Sequence, residues 1–420
     1  MRRRSTQRGA AALFVTVLLC FAMILLIGHA HRNVVVEENR SANDYRAAAA
    51  FEAADAGLEW MLARINDPTP LSAECLPSAA PTALSLRDRL LRIDAASGAI
   101  TPATWSDAGV ATPLQTACVR AATGWACSCP TNGRPALAAP VGTAMAPGFV
   151  VELVASSRPG LVDVVADGCT RGDDGGVCAP ASESGHEAAS RLTAGWALLP
   201  ALRAAPAAAL TVRGNVDAGA PVVAHPDRAS NGLALHAGGR VTSTALRVSA
   251  APGAPLGGAI ASADAGLAAL TGAQFFARYF GMDAAVWSHQ PAVHRLACAS
   301  DCSAAIAAVI AAGRHLLYVD GDLNLAGPAT FGSIEQPIAL VAAGALRFSG
   351  DVAVHGVVHG SSLAWSGASA TGALVRGATL VAGDYSGDAT ATFIHDGAVL
   401  DRLKTSAGSF VRINGSWKDF

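Results

Sequence analysis

The apolar run AAALFVTVLLCFAMILLI, residues 10–27, decides how the rest of this chain is organised. It contains no charged residue, and about 20 residues of apolar helix span the roughly 30 Å hydrocarbon core of a bilayer. The segment before it holds no acid and four arginines, Arg2, Arg3, Arg4 and Arg8. Because positive flanks stay in the cytoplasm, the pattern predicts one membrane span with the following residues exported.

The helical pattern continues beyond this run. From Asn33 to Ile65 the chain has no proline and a single glycine, Gly57, before the breaker Asp67-Pro68. Apolar residues recur at the spacing of one helical face, at Phe51, Ala54, Leu58, Leu62 and Ile65. The sequence therefore predicts one continuous helix over residues 10–66, transmembrane to about residue 30 by its apolar length and amphipathic beyond.

Two stretches near the amino terminus carry a family resemblance. They are QRGAAALFVTVLL at residues 7–19 and VVVEENRSANDYRAAAAFEAADAGLEWML at residues 34–62. They resemble the amino-terminal region of PilX-like minor pilins of type IV pili, and residues 124–130 and 415–420 are similar to that family more weakly. The resemblance implies that residues 1–9 are a basic leader and that prepilin peptidase cleaves between Gly9 and Ala10, after which Ala10 is N-methylated. It implies filament and helix packing for Phe14, Glu37, Glu38, Phe51 and Leu58.

The resemblance also implies a function and partners. A minor pilin is a structural subunit, not an enzyme, and takes part in assembly or priming of the pilus. Its partners are other minor pilins, the major pilin, prepilin peptidase and the inner-membrane assembly platform. The expected location is the bacterial inner membrane, with the amino terminus cytoplasmic and the head periplasmic, and then the pilus surface or tip.

Residue 14 departs from the pattern of major pilins. Those proteins carry a glutamate five residues after the cleaved glycine, which sets the register with the amino terminus of a neighbour. This chain has Phe14 there, and the tip pseudopilin of general secretion systems also lacks the acid. The difference predicts a subunit at or near the filament tip, where it has fewer neighbours, with a role in adhesion.

The amino terminus has two other interpretations, and each implies a different fate for the apolar run. A cleavable signal peptide could end at Ala30, because Gly28-His29-Ala30 fits a small-x-small site, although the apolar run exceeds the usual length. A plain single-span anchor is the second alternative. The alternative function is a membrane-anchored periplasmic β-helix that binds or cleaves polysaccharide, for which a flexible linker would suffice after the membrane.

The cysteines suit an oxidising compartment. Cys20 lies inside the apolar run, and the other eight form an even set. Eight cysteines can be joined into four disulfides in 105 ways, so the sequence does not fix the connectivity. The simplest local bonds are Cys298–Cys302 and Cys169–Cys178. A zinc site at Cys127-Ser-Cys129 is less favoured, because the spacing is tight and no second ligand pair follows. The disulfide candidates are Cys75, Cys118, Cys127, Cys129, Cys169, Cys178, Cys298 and Cys302.

The exported part divides by composition into an α+β region over 67–205, which contains most of the cysteines, and a glycine-rich region over 206–400. Glycines six apart at Gly344, Gly350 and Gly356 separate short apolar strands and predict a right-handed parallel β-helix. A β-sandwich is the alternative. A helical insertion is expected over 264–311, pinned by Cys298–Cys302, and a carboxyl-terminal cap over 401–420. The predicted inward residues are Leu346, Phe348, Val352, Val354, Val357, Leu374 and Leu380.

Composition and motifs indicate no enzyme, cofactor, metal or nucleic-acid partner. Hydrophobic residues are 51% and charged residues 15%, with a net charge of -2, which offers no basic field for phosphate. Nucleophile elbows, HExxH and phosphate loops are absent from the sequence. His355 and His359 are expected as exposed ladder residues, Asp320–Asn324 as a turn, and Asp173–Gly176 as a solvated loop closed by a disulfide.

Overall fold

The computed structural model describes residues 8–419 apart from 138–144, 171, 174–175, 179–187, 228–231, 252, 254, 368, 370–371 and 389. Its first part contains one long helix, one short helix and eleven strands. They are α1 Arg8–Ile65, α2 Leu86–Leu90, β1 Leu91–Ile93, β2 Ile100–Pro102, β3 Thr104–Asp107, β4 Val110–Pro113, β5 Gln115–Ala121, β6 Gly124–Ser128, β7 Gly148–Ala155, β8 Leu161–Cys169, β9 Gly172–Asp173, β10 Gly176–Val177 and β11 Ala189–Pro200.

The second part consists of short strands with five helices among them. They are β12 Leu210–Val212, β13 Val216–Ala218, β14 Val222–His225, β15 Leu235–Ala237, β16 Val241–Ser243, β17 Arg247–Ala250, β18 Ile260–Ala261, α3 Ala265–Ala268, α4 Gly272–Phe280, α5 Ala284–Ser288, β19 Val293–Leu296, α6 Ser303–Ala311, β20 Leu316–Val319, β21 Leu323–Ala326, β22 Ala329–Phe331, β23 Ile338–Ala342, β24 Leu346–Ser349, β25 Val352–Gly360, β26 Leu363–Ser366, β27 Leu374–Val381, β28 Tyr385–Gly387, β29 Thr392–His395, α7 Gly397–Thr405, β30 Gly408–Arg412 and β31 Lys418–Asp419. A 3₁₀ turn, Leu256–Gly258, lies between β17 and β18.

An antiparallel sheet with α1 against one face forms what we call the head. Its strand order is β30-β11-β8-β7-β5-β6, and β31 also pairs with β11. The second half of α1 contacts β7, β8 and β11. Leu58 of α1, Phe149 of β7 and Trp196 of β11 are fully buried in one cluster. The predicted long apolar helix joined to a β-rich domain is therefore confirmed.

Residues 210–395 form stacked coils, which we call the coil stack. Each strand pairs in parallel with a strand of the next coil, as where Leu340 of β23 lies opposite Val358 of β25. On the neighbouring sheet, Phe348 of β24 lies opposite Trp365 of β26. A β-sandwich is built from antiparallel sheets, so the parallel pairing argues against that alternative. The right-handed winding predicted from the glycine pattern stays a prediction.

The chain enters the coil stack in its middle. Along the longer sheet the strands follow the order β19-β20-β23-β25-β27-β12-β15-β18. The coil that begins at Leu210 therefore packs against the last coil, with Leu210 opposite Thr379. The pairs β13–β28 and β14–β29 continue this junction, which we call the seam. After β18 the chain crosses to the far end of the stack and re-enters at β19.

The coil stack is inserted into the head sheet. β11 ends at Pro200 and β30 begins at Gly408, and these antiparallel neighbours place Leu198 opposite Phe410. The carboxyl-terminal segment is not the cap predicted for 401–420. It supplies β30 and β31, which both pair with β11 of the head.

Both faces of several coil strands are apolar, and this explains three wrong predictions of inward residues. Leu346, Phe348, Val352 and Val354 lie in the interior cluster as predicted. Val357 and Leu380 instead face outward and are buried in a second cluster under the helices. Leu374 is half-buried, and its neighbour Val375 is the interior residue. Burial on both sides of a parallel sheet removes the alternation on which the prediction depended.

The predicted helical insertion at 264–311 is not continuous. α4 and α5 cover the outer face of the longer sheet with Phe276, Phe280 and Trp287, all buried. β19 then interrupts the helices and pairs in parallel with β20. α6 lies at the end of the stack, where Ile306 is buried in the interior cluster.

Short polar side chains link adjacent coils at one corner of the stack. Asp322 Oδ1 accepts a hydrogen bond from the Ala345 N–H at 2.8 Å. At the seam, Asp384 Oδ1 accepts from the Asn215 N–H at 2.6 Å. Asn215 Oδ1 in turn accepts from the N–H of the next coil at 3.0 Å. The segment Asp320–Asn324 is thus a structural corner, in which Asp322 also pairs with Arg347 at 2.6 Å.

Candidate functional site

The first half of α1 extends away from the rest of the protein. The described residues from Ala11 to Tyr45 are all exposed, among them Phe14 at 69% and Ile24 at 65%. The helix is long and apolar enough to cross a membrane. Residues 11–27 of this exposed part contain no charged residue. So long an apolar surface is normally shielded from water by lipid or by other apolar helices. It is therefore the main candidate interaction surface of the protein.

The second half of α1 packs closely on the head sheet through small residues. Ala50 and Ala54 are fully buried, and a Cβ added at Gly168 of β8 would lie 2.1 Å from the Ala50 carbonyl oxygen. Two turns after Ala50, a Cβ added at Gly57 would lie 3.0 Å from the Phe149 ring. The backbones of helix and strand approach so closely because glycine and alanine face each other.

Phe51 does not lie on the buried stripe predicted for it. It is 37% exposed, and its ring meets the Trp417 ring edge-on, with centroids 6.0 Å apart. Leu58 is fully buried as a packing residue of the same helix. The buried stripe begins instead with Ala50 and Ala53, each one residue before a predicted position, Phe51 and Ala54.

The carboxyl-terminal segment 408–419, which we call the strap, crosses α1 at further points. Arg412 Nη2 lies 2.8 Å from Glu59 Oε1. At the end of the helix, Asn66 Nδ2 donates to the Phe410 carbonyl at 3.0 Å, and the Phe410 N–H donates to Asn66 Oδ1 at 2.7 Å. The strap therefore holds the last four turns of α1 against the sheet. Sequence reasoning identified this segment only through its weak family resemblance.

The other residues predicted for processing and packing lie on the free part of α1. The backbone of Gly9 and Ala10 belongs to the helix, and the side chain of Ala10 lies outside the described part of the structure. Glu37 and Glu38 are exposed. Neither makes an ion pair within the described ranges of the chain. These acids are thus available to charged groups of another molecule.

Four disulfides join the eight candidate cysteines. Cys75, in the chain after α1, is bonded to Cys129 beyond β6. The other three bonds close short segments and leave Cys20, exposed on α1, as a free thiol. They are Cys118–Cys127, Cys169–Cys178 and Cys298–Cys302. Asp174 and Gly175, inside the loop expected to be solvated between Cys169 and Cys178, lie outside the described residues.

His359 is not the exposed ladder residue that was expected. It is buried on the outer face of β25, and its ring lies 4.9 Å from Phe276 and 5.7 Å from Phe280. Burial lowers the pKa of His359 to about 4. His355, four residues earlier, is half-buried. Within the described residues there is no group of three or more His, Cys, Asp or Glu that could hold a metal ion.

The exposed face of the coil stack carries a shallow groove of about 650 Å³. Small polar residues and three exposed aspartates line it, including Asp217 and Asp388. Asp301, at one end, accepts hydrogen bonds from the Ser303 hydroxyl at 2.7 Å and N–H at 3.0 Å. These bonds lower the pKa of Asp301 and favour its ionised form. A general acid needs the opposite shift, so this carboxylate is unsuited to that role.

No model of a known protein family matches this chain, and no curated protein matches it either. Among solved structures, the chain is similar to the crystal structure of the competence-associated pilin ComZ from Thermus thermophilus. The identity is 10%, the match covers 89% of this chain and 97% of that one, and the TM-score is 0.22. A likeness with so low a TM-score does not establish a common fold.

Proposed function

We propose that this protein is a minor pilin-like structural subunit that takes part in assembly or priming of a type IV pilus. The observation that carries the proposal is the divided environment of α1. Its last part, residues 50–65, packs against the head, and residues 11–49 before it have no covering element within the described structure. Such a helix can hold a folded head and still offer a long apolar surface to neighbours.

The length of the free helix favours a filament subunit over a simple anchor. Residues 11–49 precede the first buried residue, Ala50, and at 1.5 Å per residue they extend about 60 Å. A bilayer core requires only about 30 Å of this. The remainder includes the exposed Val34, Val35 and Val36. A rigid helix twice the needed length is typical of packing among other helices and unnecessary for tethering.

Membrane insertion and processing are the first steps of the proposed role. The arginine-rich leader would keep the amino terminus in the cytoplasm and send the head to the periplasm, where the disulfides form. Prepilin peptidase would then cleave between Gly9 and Ala10. The proposed partners are the peptidase, the inner-membrane assembly platform, other minor pilins and the major pilin.

The position of the coil stack supports a place at the filament tip. Along α1, Phe51 meets Trp417 and Asn66 meets Phe410, so the strap runs antiparallel to the helix. The coil stack joins at Gly408, beyond Phe410, and Arg314 of the stack lies 3.4 Å from Asp67. It therefore extends from the pole of the head opposite the apolar half of α1. In a helical filament a further subunit would occupy that space.

We further propose that the coil stack is a right-handed parallel β-helix with a structural or adhesive role and no enzymatic activity. The parallel coils support the first part. The lowered pKa of the exposed Asp301 in the groove, which its hydrogen bonds to Ser303 cause, supports the second. Phe14, which replaces a register-setting carboxylate, agrees with a subunit that has few neighbours.

The proposal is tested by fractionating filaments from a bacterium that expresses this chain and assembles type IV pili. The chain should appear in sheared filaments in small amounts, and antibodies against the coil stack should label filament ends. A Gly9→Val variant, which blocks cleavage, should be absent from filaments. Gly28→Ala is the matched control, because a Cβ there meets nothing within 4 Å among the described residues. Absence of the unmodified chain from filaments would overturn the proposal.

A further inference from the structure

The two ends of the coil stack differ in how their edges are covered. At the end near β21, α6 lies over the terminal coil, and Ile306 is buried in the interior cluster. Polar contacts fix this helix in place, since Ser303 Oγ accepts a hydrogen bond from the Ala326 N–H at 3.0 Å. This end is therefore closed, as solenoid ends usually are when they face water.

The opposite end, formed by β16, β17 and Leu246, is what we call the open end. β16 ends the shorter sheet, and β17, which pairs with β14, ends one branch of the longer sheet, as β18 ends another. No described strand pairs with the outer edges of β16 and β17. The 3₁₀ turn Leu256–Gly258 contacts β17 without forming a further strand. Val241 and Val248 are only half-buried, whereas their counterparts one coil earlier, Val216 and Val223, are fully buried. The open end is thus an incompletely covered edge.

Unpaired backbone groups give this edge a defined hydrogen-bonding pattern. The Val216 N–H donates to the Arg240 carbonyl at 2.9 Å. In a parallel pair, the backbone groups of alternate residues turn to the same side. Val241 and Ser243 therefore direct their N–H and C=O groups away from the stack. Such an edge is a template for an added strand.

The charge of the open end limits what can bind there. The coil from Gly238 to Ala261 contains Arg240 and Arg247 and no aspartate or glutamate. Both arginines are exposed, and neither makes an ion pair in the part of the chain that the structure describes. A second copy related by a two-fold axis would bring like charges together at a self-complementary edge. An acid-bearing strand would be attracted instead.

We propose that the open end binds an extended, acid-bearing segment of a partner protein as an added parallel strand. The seam gives the geometry for this mode of binding. There, β12, β13 and β14 pair in parallel with strands about 170 positions away in the chain, Leu210 with Thr379 among them. A coil edge of this protein therefore accepts a segment that is not continuous with it. This binding does not depend on the proposed role in a pilus.

Binding is measured on the full-length protein in detergent micelles with a fluorescent synthetic peptide. The probe has the sequence of residues 209–226, the segment that completes a coil edge at the seam, with Arg213→Glu to make it acidic. Anisotropy should show saturable binding that is stronger than for the peptide with the unchanged sequence and that weakens with salt. The double variant Arg240→Glu/Arg247→Glu should bind at least about tenfold more weakly, since two attractive charges become repulsive.

Arg158→Glu, at an exposed position on the head, is the matched control and should bind as the unmodified protein does. Amide hydrogen exchange should slow at Val241 and Ser243 when the peptide is bound. The proposal is overturned if binding does not saturate, if charge reversal leaves it unchanged, or if protection appears elsewhere. Self-association that is lost in the double variant would overturn it too, because the occupant would then be a second copy.

Discussion

The side-chain amide of Asn66 pairs with both backbone groups of Phe410, 344 positions later in the chain. Asn66 directly follows α1, and Phe410 lies in the strap that returns from the coil stack. Both residues are buried. One side-chain amide therefore joins the first element of the head to one of its last elements. The whole coil stack lies between these two residues in the chain.

Loss of this pairing should destabilise the head. In Asn66→Ala, the N–H and C=O of Phe410 stay buried without partners, and each such group costs about 1–3 kcal/mol. We expect the free energy of unfolding to fall by about 2–4 kcal/mol on that basis. Urea unfolding of the full-length protein in detergent measures it. Asn132→Ala, at an exposed position, should be neutral, and an equal effect of both variants would refute the assignment.

Close packing of α1 on β8 predicts a strong effect at Gly168. In Gly168→Ala the new methyl group would lie 2.1 Å from the Ala50 carbonyl oxygen, so helix and strand must separate. Overpacking of this kind costs about 1–3 kcal/mol and sometimes more. Thermal unfolding should show a clearly lower midpoint than for Gly257→Ala, where the same change meets nothing within 4 Å among the described residues. Matching midpoints would mean that the helix lies farther from the sheet.

His359 should make stability depend on pH. Burial lowers its pKa in the folded protein to about 4, whereas an unfolded histidine has a pKa of about 6.5. As the pH falls below about 6.5, the unfolded chain takes up a proton that the native protein does not, so stability declines until about pH 4. The full loss is about 3 kcal/mol.

The variant His359→Leu removes this titration and keeps an apolar side chain against Phe276. Denaturant unfolding between pH 4 and 7 should give a shallower pH dependence for the variant than for the unmodified protein. Burial also lowers the pKa of His225, His315 and His395, but these contribute equally to both proteins. Parallel pH profiles would show that His359 is hydrated or paired in solution.

The seam should depend on Asp384. Its carboxylate accepts from the Asn215 N–H at 2.6 Å, across two coils that are joined by no short connection. Removing this carboxylate in Asp384→Ala should lower the free energy of unfolding by about 1 kcal/mol. Amide hydrogen exchange should become faster at Val216 and its neighbours, while exchange in the coil at Leu340 stays the same. Asp217→Ala, at an exposed position in the same coil, is the control. Unchanged exchange in both variants would mean that strand pairing alone holds the seam.

Local sequence patterns were sufficient for some elements and misleading for others. The unbroken α1 follows from the absence of proline between Asn33 and Ile65, and short spacings made the pair Cys169–Cys178 an obvious choice. The prediction that Phe51 faces the sheet was wrong. Ala50 and Ala53 face it instead, because alanine lets the helix approach the sheet more closely than phenylalanine would. Val357 and Leu380 were misplaced because helices cover the outer face of their strands.

Contacts between distant parts of the chain left no local signal. The seam joins Leu210 to Thr379, and neither residue is unusual in its own segment. The strap depends in the same way on Asn66 meeting Phe410. Such pairings depend on how complete helices and strands pack against each other. The periodicity and spacing of residues within one segment of sequence carry no information about that packing. For the candidate site, the sequence indicated the apolar helix and missed how its second half is held.

The most direct test of the pilin-like role is the amino terminus of the mature protein. The membrane-bound chain is purified from cells with and without prepilin peptidase, and its intact mass and amino-terminal sequence are determined. The proposed role predicts a chain that begins at N-methylated Ala10 only when the peptidase is present. A chain that begins at His31, or one that keeps Met1–Gly9 in both strains, would contradict it.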